Sequence, residues 1–356
     1  MHFCRAPLQP YPKQAVLFLV KPDMAPPSAR SDVSGFRAFA RQMGFGTAAL
    51  YLYHRPKDLL RLSLAEGGPY QQWRTEQGRL AMLEAARRLP PLHAPEADRD
   101  ARIAFLSGAR YWSQTLFCFA SLQIHVPFRI TPLIFDDGSV DNTVRAAMSR
   151  VIPWAEFVAA SDIEQKLDRA LPESRFPRLR ARRREYPHLR RLIDIHLDAV
   201  GWNLVFDSDM LTFRRPDELI AWFEEPHQLY LRDIRTSYGY PYAYLSVLAG
   251  RPVPERVNAG LYSLFGPHID WDAVEYWCGR QLDEYGGDFW QEQALTAMLL
   301  AQSETRALPA SSYRVLPDLD EGKHPTAVLH HYVSYAKRPY FQFAWRRVLE
   351  SLARGV

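Results

Sequence analysis

The residues best suited to chemistry are two aspartates, Asp207 and Asp209, which follow the largely apolar run Val200–Phe206. If this run is a strand, side chains spaced i and i+2 share one face, so both carboxylates point at the same place. Paired carboxylate oxygens suit Mg²⁺ or Mn²⁺, and such sites keep open positions for water or a phosphate. The spacing therefore predicts a divalent-cation site at the end of this strand, although Asp-x-Asp alone is a common tripeptide.

A second acidic turn, Asp136-Asp137-Gly138, follows the apolar run Ile130–Phe135. Carboxylates at a strand end can accept hydrogen bonds from a nucleobase N–H or from ribose hydroxyls, and Gly138 permits a tight turn. Asp141 is suited to cap the helix that follows. The turn therefore indicates either a nucleoside-binding site or an ordinary acidic connection with a helix cap.

Strands and helices alternate through the second part of the chain, which predicts an α/β fold with a mostly parallel sheet. The carboxyl ends of such strands share one edge, where ligands bind. Ser107, Asp136, Asp137, Asp207 and Asp209 all lie at these ends. The predicted elements are strands Ala101–Leu106, Ile130–Phe135 and Glu156–Ala159 and helices Tyr111–Leu122 and Asp141–Arg150.

The first hundred residues form a separate stretch, for which the sequence indicates an α/β extension of unknown role. Residues 101–356 are expected to form one domain. A linker with three prolines, Leu89–Pro95, separates the two parts. The predicted elements of the extension are strands Ala15–Val20 and Thr47–Tyr53 and helices Gly35–Met43 and Arg74–Arg88.

The two acidic turns together resemble glycosyltransferases of the GT-A fold. Many of these carry Asp-Asp-Gly-Ser-x-Asp-x-Thr after one strand and Asp-x-Asp after a later one, which here are Asp136–Thr143 and Asp207–Asp209. The resemblance covers roughly Ala101–Arg347. It implies a GT-A sheet, a nucleotide-diphosphate sugar donor (a UDP-sugar is expected), a Mn²⁺ or Mg²⁺ ion and an acceptor that the sequence does not identify.

Two downstream segments extend the resemblance. Asn258 and Gly260 match an Asn-x-Gly strand near the sugar pocket, where glycine would let the backbone approach the donor. Glu292 and Gln293 open a helix, in a segment similar to the Asp-Gln-Asp-x-Leu-Asn motif of retaining family-eight-type enzymes, and are expected to line that pocket. This similarity leads us to expect retention of the donor's anomeric configuration. Two features point to inversion instead: Glu292 could act as a general base, and acidic turns like the one at Asp136 are commoner among inverting relatives. Each segment also has a simpler interpretation. Gly260 can be an ordinary turn glycine in a strand, and Glu292 a carboxylate that the helix dipole favours at the start of a helix.

The segment from His330 to Pro339 is similar to the His-x-x-Gly-x-x-Lys-Pro motif of the same group. The resemblance implies His331 as a third metal ligand and Lys337, six residues later, as a diphosphate contact. His330 would face the other side of a strand and is expected to be structural. The chain departs from the motif at Ser334, where glycine is usual, and at Arg338, which is inserted before the proline.

The segment Arg175–Arg191 carries eight arginines and a single acid, Glu185, in a chain whose formal net charge is +4. Such a run can bind phosphate-rich partners: nucleic acid, an anionic membrane surface or a lipid-linked acceptor. It can equally be a solvated helix surface or a flexible loop beside the donor site. We favour this second interpretation because aromatic side chains do not interleave with the arginines as nucleic-acid platforms require.

Composition limits the remaining choices. A hydrophobic fraction of 47% indicates a globular protein. No apolar run approaches the roughly 18 residues that span a bilayer, and no secretory signal is recognisable, so a cytoplasmic protein is expected. Cys4, Cys118 and Cys278 show no paired spacing, and the last two are expected in the core. Two other functions remain open: a non-catalytic nucleotide- or sugar-binding protein, and a basic interaction module.

Overall fold

The structure, a computed structural model of the 356-residue chain, describes residues 67–93, 95 and 101–354. The strands and helix predicted between residues 15 and 53 lie outside the described residues. The chain divides into two compact units, Met1–Gln77 and Gly78–Val356, and helix α1 (Pro69–Arg88) runs across their boundary. Among the described helices, none combines the length and apolar character needed to cross a membrane.

The second unit is built on a seven-stranded sheet with the order β3-β2-β1-β4-β7-β6-β8. β7 runs antiparallel to both of its neighbours, and the other six strands share one direction. The predicted α/β fold with a mixed, mostly parallel sheet is therefore confirmed. The strands are β1 (Ala101–Ser107), β2 (Ile130–Asp136), β3 (Glu156–Val158), β4 (Trp202–Phe206), β6 (Gln228–Arg232), β7 (Val257–Phe265) and β8 (Thr305–Ala307), and a smaller sheet contains β5 (Met210–Thr212), β9 (Tyr313–Val315) and β10 (Leu329–His331).

Helices cover both faces of the large sheet. Successive residues of β1 point to opposite faces, and both are buried: Ile103 and Phe105 pack in one hydrophobic cluster and Ala104 in another. The helices are α2 (Trp112–Gln123), α3 (Asn142–Val151), α4 (Ala160–Ala170), α5 (Pro177–Glu185), α6 (Leu189–His196), α7 (Asp217–Glu224), α8 (Tyr242–Ala249), α9 (Trp271–Tyr285), α10 (Gln291–Leu300), α11 (Leu319–Lys323), α12 (Lys337–Pro339) and α13 (Trp345–Arg354).

Strand register brings distant residues to one edge of the sheet. The paired residues Ser107 and Asp136 close β1 and β2 at the same level. Asp207 follows β4, and its backbone N–H donates to the carbonyl of Gly260 on β7 over 2.7 Å. β5 begins directly after Asp209 and pairs antiparallel with β10, with Met210 opposite His331. This pairing places the third predicted ligand beside the two aspartates.

Candidate metal and donor site

Asp207, Asp209 and His331 converge at this edge, as the sequence predicts. His331 Nε2 lies 3.1 Å from Asp209 Oδ1 and 3.6 Å from Asp207 Oδ2. The three residues form a group whose ligand atoms lie within 4.8 Å of one another. The His331 side chain is 2% exposed, whereas 34% of the Asp207 side chain remains accessible. The imidazole is therefore buried beneath the cluster, and the cluster is accessible to solvent on the side of the Asp207 carboxylate.

The donor set fits a divalent cation. In an octahedral site with metal–ligand bonds of about 2.1 Å, neighbouring ligand atoms lie about 3.0 Å apart. The 3.1 Å separation of His331 Nε2 and Asp209 Oδ1 matches that edge, and the 3.6 Å separation to Asp207 Oδ2 is somewhat wider. Two carboxylates and one imidazole also form a suitable set for Mn²⁺ or Mg²⁺. The group can therefore hold such an ion with positions left for exogenous ligands.

Gly260 is packed directly against the imidazole. A Cβ atom built on Gly260 would lie 2.3 Å from Cε1 of His331 and 2.8 Å from Nδ1. The backbone N–H of Gly260 donates to Asn258 Oδ1 over 3.0 Å, and Asn258 Nδ2 donates to Asp233 Oδ2 over 2.9 Å. The predicted Asn-x-Gly strand therefore lies at the site, where its glycine provides room for the histidine and its asparagine is held by a buried carboxylate.

Two basic side chains bind the aspartates. Lys337 Nζ lies 2.5 Å from Asp209 Oδ2, which places the predicted phosphate contact at the carboxylate pair. Arg191 is a site residue that the sequence did not reveal, and its Nη1 lies 2.5 Å from Asp207 Oδ2. Its Nη2 donates to Glu292 Oε2 over 2.9 Å. Arg191 therefore joins the Asp-x-Asp turn to the predicted sugar pocket.

The charges at the site shift the titration of its members. Burial alone would raise the pKa of Asp207, but Arg191 and His331 hold it well below its usual value. The pKa of Asp209 is lowered in the same way, against its burial, by Lys337 and His331. Burial opposes protonation of His331, yet the two carboxylates raise its pKa to about 9. Both aspartates are therefore ionised at neutral pH, as metal ligands must be, whereas His331 is protonated and must release its proton when it binds a metal.

Glu292 and Gln293 lie at the start of α10 and are both buried. Burial raises the pKa of Glu292, although Arg191 opposes this shift. Gln293 accepts from the N–H of Ala259 over 3.2 Å and donates to the carbonyl of Ser237 over 2.8 Å. Glu292 is thus connected to the Asp-x-Asp turn through Arg191, and Gln293 holds the strand that carries Gly260.

The acidic turn after β2 is organised by its own side chains. Asp136 Oδ1 accepts from the N–H groups of Gly138 and Val140, and Asp137 Oδ1 accepts from the N–H of Ser139 over 3.0 Å. Gly138 has a φ of 96°, the conformation expected of a tight turn. The predicted cap is present, since the Asp141 side chain accepts from the N–H of Val144 at the start of α3. The turn also meets the end of β1, where the backbone N–H of Asp137 donates to the carbonyl of Ser107.

Ser107 differs from the expectation of a side chain open to a nucleotide. The residue is 1% exposed, and its hydroxyl lies 2.7 Å from Thr115 Oγ1 inside the protein. Gly108 follows it, and a Cβ there would lie 2.1 Å from the carboxylate of Asp137. The end of β1 therefore meets the acidic turn closely, but the serine hydroxyl is committed to a buried partner.

His330, expected to be structural, is fully buried. Its Nε2 lies 2.7 Å from Glu321 Oε1 and its Nδ1 lies 2.8 Å from the hydroxyl of Tyr332. Cys118 and Cys278 are likewise buried, as expected of core cysteines.

The arginine run is not a flexible loop, and only part of it is the solvated helix surface favoured from its composition: the side chains of Arg175, Arg178 and Arg184 are at least half exposed, whereas others are buried. It forms α5 and α6, and Arg180, Arg183 and Arg191 are buried. Charge patterning could not show this because, apart from Glu185, the acids that pair with the run lie outside it. The partners are Asp272 for Arg175, Asp283 for Arg178, Asp168 for Arg180, Gln291 for Arg182, Asp194 and Glu164 for Arg183, Glu173 for Arg184, the Asp137 carbonyl for Arg190, and Asp207 and Glu292 for Arg191.

No protein-family profile and no curated protein sequence matches the chain. Among solved structures, mouse xyloside xylosyltransferase 1 is 12% identical over 65% of this chain and 96% of its own, with a TM-score of 0.45. The galactosyltransferase LgtC, in complex with donor and acceptor sugar analogues, is 14% identical over 71% of this chain and 95% of its own, with a TM-score of 0.45. The bifunctional glycosyltransferase WbbM is 12% identical over 73% of this chain and 53% of its own, with a TM-score of 0.41. All three are glycosyltransferases by name, and the likeness concerns the fold alone.

Proposed function

We propose that this protein is a metal-dependent glycosyltransferase that moves a sugar from a nucleotide-diphosphate sugar, a UDP-sugar in the first instance, to an acceptor. The observation that carries the proposal is the convergence of Asp207, Asp209 and His331 at the carboxyl edge of the sheet. Open positions on the carboxylate side would accept donor phosphates. Because residues 122 positions apart supply this group, the fold itself must assemble it.

Each residue would have a distinct task. A bound Mn²⁺ or Mg²⁺ would neutralise charge on the leaving diphosphate. Lys337, 29% exposed beside Asp209, would add positive charge at the same phosphates. Arg191 would fix Asp207 relative to Glu292, so that the ligand turn and the sugar pocket keep one geometry.

The other predicted contacts complete the donor site. Asp136 and Asp137 would hold the nucleoside at the neighbouring strand end, and Ser107 would contribute backbone rather than its buried hydroxyl. Asn258 and Gly260 would bring the backbone of β7 close to the sugar, and Gln293 would keep that strand in place. Glu292 would act as a general base only in an inverting enzyme, and here its carboxylate is paired with Arg191. We therefore expect retention of the donor's anomeric configuration.

The deciding experiment is turnover of a panel of UDP-sugars with Mn²⁺, measured as UDP release, with and without EDTA. EDTA should abolish turnover, and Asp209→Asn should lower kcat/KM at least about 100-fold because a ligand is lost. Asp217→Asn is the matched control, since Asp217 lies on α7 in an exposed pair with Arg215. Turnover that survives both EDTA and Asp209→Asn would contradict the metal-dependent mechanism. The anomeric configuration of the product, read by NMR before mutarotation, would test retention.

The same panel separates the two alternatives. Mn²⁺-dependent binding of UDP without any turnover would instead support a non-catalytic binding protein. A basic interaction module, including one that contacts an anionic membrane surface or a lipid-linked acceptor, is less favoured because every arginine of the run has a partner within the protein. It would be supported by steeply salt-dependent polyanion binding that is lost on replacing exposed arginines of the run.

A further inference from the structure

One face of α2 lies against the Asp207–Asp209 turn and the strand that follows it. Thr115, Cys118 and Ser121 are spaced three residues apart and therefore share this face. The helix contacts the turn and strand at successive points. These contacts are Thr115 Oγ1 to Ser208 Oγ at 2.8 Å, Cys118 Sγ to the Asp207 carbonyl at 3.5 Å, and the Thr212 N–H to Ser121 Oγ at 2.9 Å.

The hydroxyl of Thr115 uses its full hydrogen-bonding capacity. A hydroxyl has one proton and two acceptor lone pairs. Thr115 Oγ1 donates to the Tyr111 carbonyl over 3.1 Å and lies 2.7 Å from Ser107 Oγ and 2.8 Å from Ser208 Oγ. With its proton given to Tyr111, it accepts from both serines. Since Thr115 is fully buried, water cannot replace these bonds if the hydroxyl is removed.

Ser208 stands between the two aspartates and faces the opposite way. Its hydroxyl is directed into the protein toward α2, whereas the carboxylates of Asp207 and Asp209 are directed toward His331. A fixed Ser208 side chain therefore limits rotation of the turn and holds the two carboxylates at their separation.

From this arrangement we infer that Thr115 is a positioning residue for the cation site, acting through Ser208. The inference rests on the proposed metal-dependent function, because it names a residue that shapes the same site without touching the ion. Partners that orient metal ligands commonly contribute 10–100-fold in affinity. The hydroxyl bridge from β1 through α2 to the ligand turn would supply that contribution here.

The test compares Thr115→Val, which keeps the shape but removes the hydroxyl, with Thr115→Ser, which retains it. Ser263→Ala is the matched control: the Ser263 hydroxyl is also fully buried and makes two hydrogen bonds, but it does so within the sheet, to His227 and Leu229. Two quantities are measured on the full chain. They are the Mn²⁺ dissociation constant by titration, and amide hydrogen exchange of peptides covering Asp207–Thr212 without added metal.

Thr115→Val should weaken Mn²⁺ binding about tenfold or more and accelerate exchange of the turn about tenfold, with Thr115→Ser close to wild type. Ser263→Ala should lower the melting temperature but leave Mn²⁺ affinity unchanged. Unchanged Mn²⁺ affinity in a folded Thr115→Val protein would overturn the positioning role. If the wild type itself binds no Mn²⁺, the proposed function fails, and unchanged hydrogen exchange in Thr115→Val would separately overturn the hydroxyl bridge.

Discussion

Replacing Gly260 by alanine should remove cation binding while leaving the sheet intact. The new Cβ would lie 2.3 Å from His331 Cε1, whereas carbon atoms in contact rest at about 3.5–4.0 Å. The imidazole would therefore have to move by about 1.2 Å or more. Metal–ligand distances tolerate only about 0.2 Å, so this displacement takes His331 out of the donor set.

The imidazole has little room to absorb the displacement. His331 is 1% exposed, and its backbone is held on both sides, by Met210 of β5 and by Val315 of β9. We therefore expect Mn²⁺ affinity to fall at least about 100-fold. Stability should fall by about 1–3 kcal/mol, the usual cost of overpacking a filled core.

The assay is Mn²⁺ titration by calorimetry, with the melting temperature followed by circular dichroism. Gly201→Ala provides the control, because a Cβ on Gly201 would meet no heavy atom within 4 Å. That variant should bind Mn²⁺ like the wild type. A folded Gly260→Ala protein that binds Mn²⁺ within about threefold of wild type would refute the assignment of His331 as a ligand, since a 1.2 Å shift cannot preserve the coordination.

Two further predictions concern residues outside the donor set. Arg183→Ala should lower the free energy of unfolding, measured in urea, by about 3–5 kcal/mol because it leaves the buried Asp194 carboxylate unpaired. The control Arg184→Ala should have little effect because the Arg184 side chain is exposed. Equal losses of stability in the two variants would contradict this prediction. Burial lowers the pKa of His196 to about 4, so its contribution to stability is complete above pH ~6.5 and is lost, by up to about 3 kcal/mol, as the pH falls toward 4. His196→Phe, which keeps a ring stacked on Tyr262, should reduce the pH dependence of the melting temperature over that interval, and an unchanged slope would argue against this histidine.

The sequence predicted well those elements whose information is local. β1, β2 and β4 are mainly apolar runs, and the structure places them as parallel neighbours with polar residues at their carboxyl ends. The acidic turn after β2 was also recognisable, because its glycine and its capping aspartate act within a few residues. The pairing of β5 with β10 was not predictable in this way. Both strands are three residues long and lie far apart in sequence, so only tertiary structure establishes their register.

Arg191 shows why part of the site escaped sequence reasoning. Within a run of eight arginines, charge patterning assigns the same surface role to each, yet a guanidinium becomes buried when distant acids supply its partners. Here Asp207 and Glu292, which lie 16 and 101 positions later, provide them. One sequence feature did point that way: the formal net charge is only +4 although this one segment carries eight arginines, so acids elsewhere must outnumber the remaining bases. A local basic excess balanced by dispersed acids favours intramolecular pairing over an external polyanion, and the ion pairs of α5 and α6 are the form that pairing takes.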